Sequence, residues 1–339
     1  MSESVEILRG GEVYRAIESA EVRLSLETLA PSWSIQYAAD RSGDPQGPIE
    51  VEDRVTVRLG GEELLTGDVD RTTYAQDDRG WTETAEGRGL TSALVDCSSM
   101  LRPGRWQQIA VDALARALCD PFGVPVELHG DGGARFPRFA VQPGEAPGDA
   151  LARAARLRGL LAYLRGDTLV FSRAGADRTG TVIRPGAGVS RFESTVDYAR
   201  RMSEYHVRGQ VRSTDAQHGK HATHVHYVSR DEGVRRHRPL IVHSSGEHVS
   251  LKRRAELEKN RRAGRSERVR VTLGSWRTAE GSLWRPNMLA RVAHPRARID
   301  AELLVVSAAY HADGKERSVT LELTRPESFD VGRYPARRR

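Results

Sequence analysis

The tightest constraint on this chain is a run of short apolar stretches with a period of two. Val22, Leu24 and Leu26 alternate with polar residues, as do Trp33, Ile35 and Tyr37 and then Val55, Val57 and Leu59. Successive side chains of a strand point to opposite faces, so such runs build half-buried antiparallel strands rather than helices. Gly60-Gly61 lies between VTVRL and ELLTGDV, where a two-residue turn needs positive φ, and predicts a hairpin. Several strands at this spacing within the first 95 residues predict a small barrel or sandwich.

With 339 residues the chain exceeds one ordinary core and is expected to divide into two or three domains. The middle changes period. Trp106, Ile109, Ala110, Ala113, Leu114, Ala117 and Leu118 form a one-sided stripe that predicts a helix from Trp106 to Leu118, stopped by Pro121 and Gly123. HGDGGARFPRFAVQPGEAPGD follows as an expected loop, then Pro147 opens a second helix that Gly159 ends. LLAYL and TLVFSR flank the turn Arg165-Gly166-Asp167, a further hairpin. After RPGAG the alternation returns, with Val269, Val271 and Leu273 on one face of a strand and Val319, Leu321 and Leu323 on another, interrupted by one helix, SLKRRAELEKNRRAG. The expected fold is α+β, mainly β: two antiparallel β-barrel domains, 1–95 and 184–339, around a small α/β domain at 96–183. Two β domains suggest an internal duplication, though no residue-level repeat is visible.

No apolar run approaches the ~20 residues of a membrane-spanning helix, so membrane insertion is not expected. MSESVEILRGGEVYR has no basic start followed by an apolar stretch, so a secretion signal is not expected either. Cys97 and Cys119 are too few for a disulfide scaffold and are expected to be free thiols. The net charge of +6 permits nucleic-acid contact, but acidic and basic residues are interleaved except from Lys252 to Arg268. Glu256 and Glu258 interrupt that stretch and no aromatic residue lies in it to stack on bases, which favours a solvated or protein-facing helix over nucleic-acid binding.

The best lead to chemistry is HGKHATHVHY, with His218, His221, His224 and His226. On a strand His224 and His226 share a face and could share a metal, but a catalytic zinc usually takes three protein ligands, and neither HExxH nor a paired CxxC supplies more. A metal-dependent hydrolase built on this cluster is therefore the lesser alternative to a solvated hairpin. There is no GxSxG elbow for a nucleophile, no helix after PGAG to cradle phosphate, and Asp77-Asp78 beside Arg79-Gly80 predicts a turn.

Two longer patterns carry more. LVDCSSMLRPGRW is followed by ALCDPFGVPV and GEAPGDALARAARLRGLLAYLRGDTLVFSR; later come DYARRMSEYHVRGQ, VRRHRPLIV, RAELEKNRRAGRS and VTLGSWRTAEGSLWRPNMLARVAHPRARIDAELLVVSAAY with LELTRPESF. Their order and spacing resemble the phage Mu type of baseplate hub protein from contractile tails, more distantly related to the hubs of T-even phages and the spike-forming proteins of type VI secretion. The resemblance runs from about residue 5 to 330. It implies two tube-like barrels per subunit and a homotrimer of pseudo-sixfold symmetry that adapts the tail tube to the central spike. It also implies no enzyme activity and no cofactor. Partners would be the tube and spike proteins, with tape-measure and other baseplate proteins as further neighbours and DNA only in passage through the lumen. The location implied is the baseplate of a virion or tail particle, assembled in the bacterial cytoplasm. By the same resemblance Trp284, Pro286 and Asn287 in WRPN, and Arg238 and Pro239 in RPLIV, are structural determinants of the second barrel. The resemblance leaves open whether the first barrel takes a strand from about 185–212. The segment between GQV and VRRHRP, with the histidines, departs from the family pattern.

Overall fold

The computed structural model describes residues 4–14, 17–37, 48–78, 80–209, 225–244 and 251–329. The N-terminal strands are β1 (Val5–Arg9), β2 (Glu12–Tyr14), β3 (Ile17–Ser25), β4 (Ser32–Tyr37), β5 (Arg54–Leu59), β6 (Glu62–Asp77) and β7 (Gly80–Gly89). They pair antiparallel in the order β2-β1-β5-β6-β7-β4-β3. Val22, Leu24, Trp33, Ile35, Tyr37, Val55, Val57 and Leu59 all face the core, as the alternation requires. Leu26 lies past the end of β3, where its N–H donates to the Val306 carbonyl, 2.9 Å. Gly60 and Gly61 take φ of 56° and 80° and make the β5–β6 turn, a conformation in which a Cβ would clash with its own backbone.

The α/β domain has a core of its own, including Leu94, Leu114, Leu118, Phe136, Leu151 and Phe171. Its elements are α1 (Ser92–Asp96), β8 (Arg105–Ile109), α2 (Val111–Cys119), β9 (Val126–Leu128), β10 (Phe136–Ala140), α3 (Pro147–Arg158), β11 (Leu161–Arg165) and β12 (Thr168–Ser172). The helix expected from Trp106 is a strand up to Ile109. Gln108 at φ 48° and the extended Ala110 break the helical path, and the strand is held by β10, with Ile109 opposite Phe136 and Trp106 opposite Phe139. An apolar spacing of three had suited the helix period, but only Val111 onward is helical. The stretch expected as a loop thus contributes β10. Pro147 and Gly159, the latter at φ 67°, bound α3 as expected, and Gly166 turns the β11–β12 hairpin.

The C-terminal part contains β13 (Asp177–Ile183), β14 (Val189–Val196), β15 (Glu204–Gly209), β16 (Val225–Arg230), β17 (Pro239–Ser244), α4 (Leu251–Arg265), β18 (Glu267–Leu273), β19 (Met288–His294), β20 (Ile299–Asp313) and β21 (Arg317–Thr324). Six of these strands follow the order β13-β19-β20-β21-β18-β14. β15, β16 and β17 form a separate sheet, against which α4 packs.

The fold is mainly β, but among the described residues neither barrel closes on itself. β19 pairs with β20 only as far as Leu304, and the remaining edge of β20, Ser307–Asp313, is taken by β3. A 15-residue strand beside a 7-residue partner leaves unpaired N–H and C=O groups, and β3 satisfies them. The two modules thereby share one thirteen-stranded sheet and one apolar core. Among the described residues, 185–209 adds no strand to β1–β7: Val189–Val196 pairs with β18, and Glu204–Gly209 lies in the separate sheet; 210–212 lie outside the described residues.

Candidate assembly interface

Two arginines and an asparagine from the loop before β19 lock that loop to its neighbours. Arg277 and Arg285 both reach Glu62 at the β5–β6 turn, at 3.1 and 3.0 Å, and also donate to the carbonyls of Gly60 and Glu63. Trp284 is buried beneath them, with its carbonyl accepting from the Tyr310 hydroxyl. Pro286 is buried beside it. Asn287 is fully buried at φ 74° and ties this loop to the end of β12. Its Nδ2 donates to Ser172 Oγ (2.8 Å) and the Arg173 carbonyl (3.0 Å), and its Oδ1 accepts from the Gly175 N–H (2.7 Å). Asparagine suits this position because it tolerates the left-handed region while offering both a donor and an acceptor. Arg277, Arg285 and Glu62 carry no sequence signal, since charges more than two hundred positions apart have no readable spacing.

Arg238 and Pro239 lie elsewhere, at the start of β17. The Arg238 guanidinium donates to the carbonyls of Tyr198 and Ala199, each at 2.6 Å, and its N–H donates to Ser203 Oγ. Pro239 faces Glu204 in a parallel ladder. Beside them, Arg201 forks onto buried Asp231 at 2.7 and 3.0 Å, and this hydrogen bonding raises the Arg201 pKa. The charge balance at this joint was not visible in sequence.

Of the histidine cluster, His218, His221 and His224 lie outside the described residues, so the proposed facing of His224 with His226 does too. His226 stacks on His206 of β15, ring centroids 5.2 Å apart, with a 3.1 Å nitrogen contact, and His206 in turn meets Glu204 at 2.9 Å. That contact holds the Glu204 carboxyl below its usual range. Among the described residues no three His, Cys, Asp or Glu side chains gather as a metal site would require. The basic stretch is α4, and its charges are largely engaged. Glu258 pairs with Arg254 and Arg262, and Glu256 pairs with Lys259 and accepts from Ser229 of β16. Burial lowers the Arg261 pKa. This is a protein-facing helix more than a phosphate-binding one.

The surface suited to association is backbone edge. The outer half of β6, from Asp70 to Asp77, is exposed on both faces and carries Tyr74 at 50% exposure, beside Trp81 of β7 at 53%. β14 pairs only with β18 among the described residues and ends on Val196, 65% exposed. Among the described residues each of these two edges has a strand on one side only, and sheet edges are where another strand can add.

Three family models match the chain in sequence order. They are the Mu phage baseplate assembly protein GpP-like N-terminal domain over 4–89, the baseplate hub protein gp44-like second domain over 91–173, and the GpP fourth domain over 248–332. The chain belongs to the phage Mu-type baseplate hub family. The baseplate hub protein gp44 of Escherichia phage Mu is 29% identical over 318 residues, covering 91% of this hub chain and 83% of gp44. The 43 kDa tail protein of prophage MuSo2 from Shewanella oneidensis has a TM-score of 0.85 at 27% identity, with 97% of this chain and all of that one covered. An E. coli type VI secretion component, described as similar to the T4 tail proteins gp27 and gp5, shares the fold at a TM-score of 0.59 and 12% identity, over 98% of this hub and 79% of that chain. The histidine stretch falls between the second and third matched segments.

Proposed function

We propose that this hub subunit is a structural part of the tail baseplate, and that three copies form a pseudo-sixfold ring joining the tail tube to the central spike. The observation that carries this reading is the pair of β modules with like strand order, set side by side through β20 and β3 in a hub-family chain. A subunit with two similar modules presents six similar units in a trimer, which suits a junction between a sixfold and a threefold body. The division into 1–95, 96–183 and 184–339 goes with this proposal; the matched segments 4–89 and 91–173 support its first two parts, and 248–332 lies within the third. The ring acts by geometry: its outer surfaces bind tube, spike and neighbouring baseplate proteins, and DNA passes through its lumen without being gripped. It sits in the baseplate of a phage or phage-like particle after assembly in the host cytoplasm.

Electron microscopy and mass measurement of the purified protein, alone and mixed with tube and spike proteins of the same particle, test the proposal. A threefold ring that binds both partners is the expected result. A strict monomer that binds neither overturns it.

A further inference from the structure

The separate sheet β16-β15-β17 has two unlike faces. Tyr205 and Val207 of β15 are fully buried, and Ser229 of β16 turns its hydroxyl to Glu256, so this is the face that α4 covers. Strand alternation places Glu204, His206 and Arg208 on the opposite face. The ladders carry that face across the sheet in three rows: Glu204 lies between Arg230 and Pro239, His206 between Val228 and Ile241, and Arg208 between His226 and His243. It is open to solvent, with Ile241 48% exposed and Arg208, His226, Arg230 and His243 exposed as well.

The charge of these rows is lopsided. Glu204 is their only carboxylate, and it is held by His206 at 2.9 Å and Arg230 at 3.5 Å. Arg208 has no ion pair among the described residues. The loop joining β16 to β17 continues the excess, with Arg235, Arg236 and His237 exposed against exposed Glu232. The histidines make the excess adjustable. Because Glu204 accepts from His206 Nε2–H, His206 Nδ1 is the acceptor in the 3.1 Å contact and His226 donates from Nε2. A proton added at His226 Nδ1 breaks neither bond, whereas one added to His206 would set two donors against each other, so this relay takes up one charge. Around it stand Arg208 directly opposite His226, Glu204 and Arg230 at one end, His243 beyond Arg208, and His237, close enough to Glu204 to act on its carboxyl.

We infer that the outer face of this sheet binds an acidic segment of a partner protein, with Val228 and Ile241 receiving an apolar side chain between the charges, and that acidification tightens the contact. Near neutral pH the rows set Arg208 and Arg230 against Glu204; imidazoles gain charge between about pH 8 and pH 5, and His226 and His243 then join the two arginines against the same single carboxylate. Complementary charge of this kind speeds docking and selects the partner. A protein segment fits better than nucleic acid, because the middle row offers an apolar seat and the rows hold no Phe, Tyr or Trp on which bases could stack. The inference goes beyond the ring reading and does not depend on it.

Fluorescence anisotropy of the full-length chain tests it, with three labelled probes: a peptide of aspartate, serine and leucine repeats, the same peptide with lysine for aspartate, and a short DNA duplex. At constant ionic strength the acidic peptide should bind at least about ten-fold more tightly near pH 5.5 than near pH 7.5, a range over which aspartate stays ionised, and the lysine peptide should not bind. Arg208→Glu should weaken binding at least about ten-fold, whereas Arg138→Glu, the same charge change at an exposed position of β10, should stay within about two-fold of wild type. His226→Gln combined with His243→Gln should keep the binding seen at the higher pH and lose most of the gain on acidification. Absence of acidic-peptide binding at either pH overturns the inference. So does tighter binding of the duplex than of the peptide, which would make this a phosphate-binding surface, and so do equal losses in Arg208→Glu and Arg138→Glu, which would leave net charge as the whole cause. The ring reading is judged by particle mass and symmetry, so either can fail while the other stands.

Discussion

Replacing Asn287 with alanine removes the joint between the α/β domain and the second β module, and its cost can be worked from the geometry. The side chain supplies the partner for the Gly175 N–H and donates to the Arg173 carbonyl and Ser172 Oγ. Alanine leaves the two backbone groups without that partner, at about 1 to 1.5 kcal/mol each. Holding alanine at φ 74°, where asparagine is tolerated, adds about 1 kcal/mol. The expected loss is therefore about 3 to 4 kcal/mol. Asn287→Gly keeps the left-handed backbone and loses the same hydrogen bonds, so it should recover about 1 kcal/mol relative to alanine. Equilibrium urea unfolding at fixed chain concentration measures both, and hydrogen exchange of the Gly175 amide reports the local bond. A loss below about 0.5 kcal/mol in both variants, within the range of an ordinary surface change, would refute the reasoning. Unchanged Gly175 exchange would refute it as well.

Asp231→Ala should cost about 3 to 5 kcal/mol by leaving the Arg201 guanidinium buried and unpaired, with Asp231→Asn milder; thermal unfolding of the three proteins checks the order. Gly87→Ala places a Cβ 2.1 Å from the Asp68 carbonyl oxygen and 2.6 Å from the Trp33 ring, so the β6–β7 ladder must spread. A loss of about 3 kcal/mol with altered near-ultraviolet dichroism of tryptophan is expected, and a wild-type melt contradicts it. In the native protein a thiol reagent should label exposed Cys97 and spare Cys119, whose thiol burial pushes up to about 12; both should react in denaturant. Since the unfolded Cys119 ionises first, this thiol's contribution to stability is intact below about pH 9 and falls as the pH rises towards 12, which a Cys119→Ala control in pH-dependent melts isolates.

Elements whose side chains decide their conformation were legible in the sequence. β4 and β5 show period two because one face is buried at every second residue, and Pro147 and Gly159 bound α3 by their backbone limits alone. β8 was mistaken for helix because Trp106 and Ile109 are three apart, a spacing a short strand can also carry when one residue, Gln108, takes a left-handed turn. β10 was hidden in a segment rich in glycine and proline, since five residues containing Pro137 give too short a pattern to see. The β20–β3 junction had no side-chain signal at all, because its bonds are between backbones. At the candidate interface, WRPN and RPLIV were found by family resemblance, whereas the Glu62 clamp of Arg277 and Arg285 needed the folded chain.

The duplication was invisible for a related reason. A main-chain ladder carries register but little residue identity, so two modules can keep the same slips while their side chains diverge to suit different surroundings. Setting the slips between Val69 and Arg71 and between Val305 and Ser307 together matches Tyr74, half exposed, with Tyr310 in the core; the slips between Ile17 and Ser19 and between Val189 and Arg191 match Leu24, in the core, with exposed Val196. Where the edge stays open, charge replaces burial as the means of control. Arg71 and Asp77 on one strand, and Arg191, Glu193 and Asp197 on the other, keep both edges soluble.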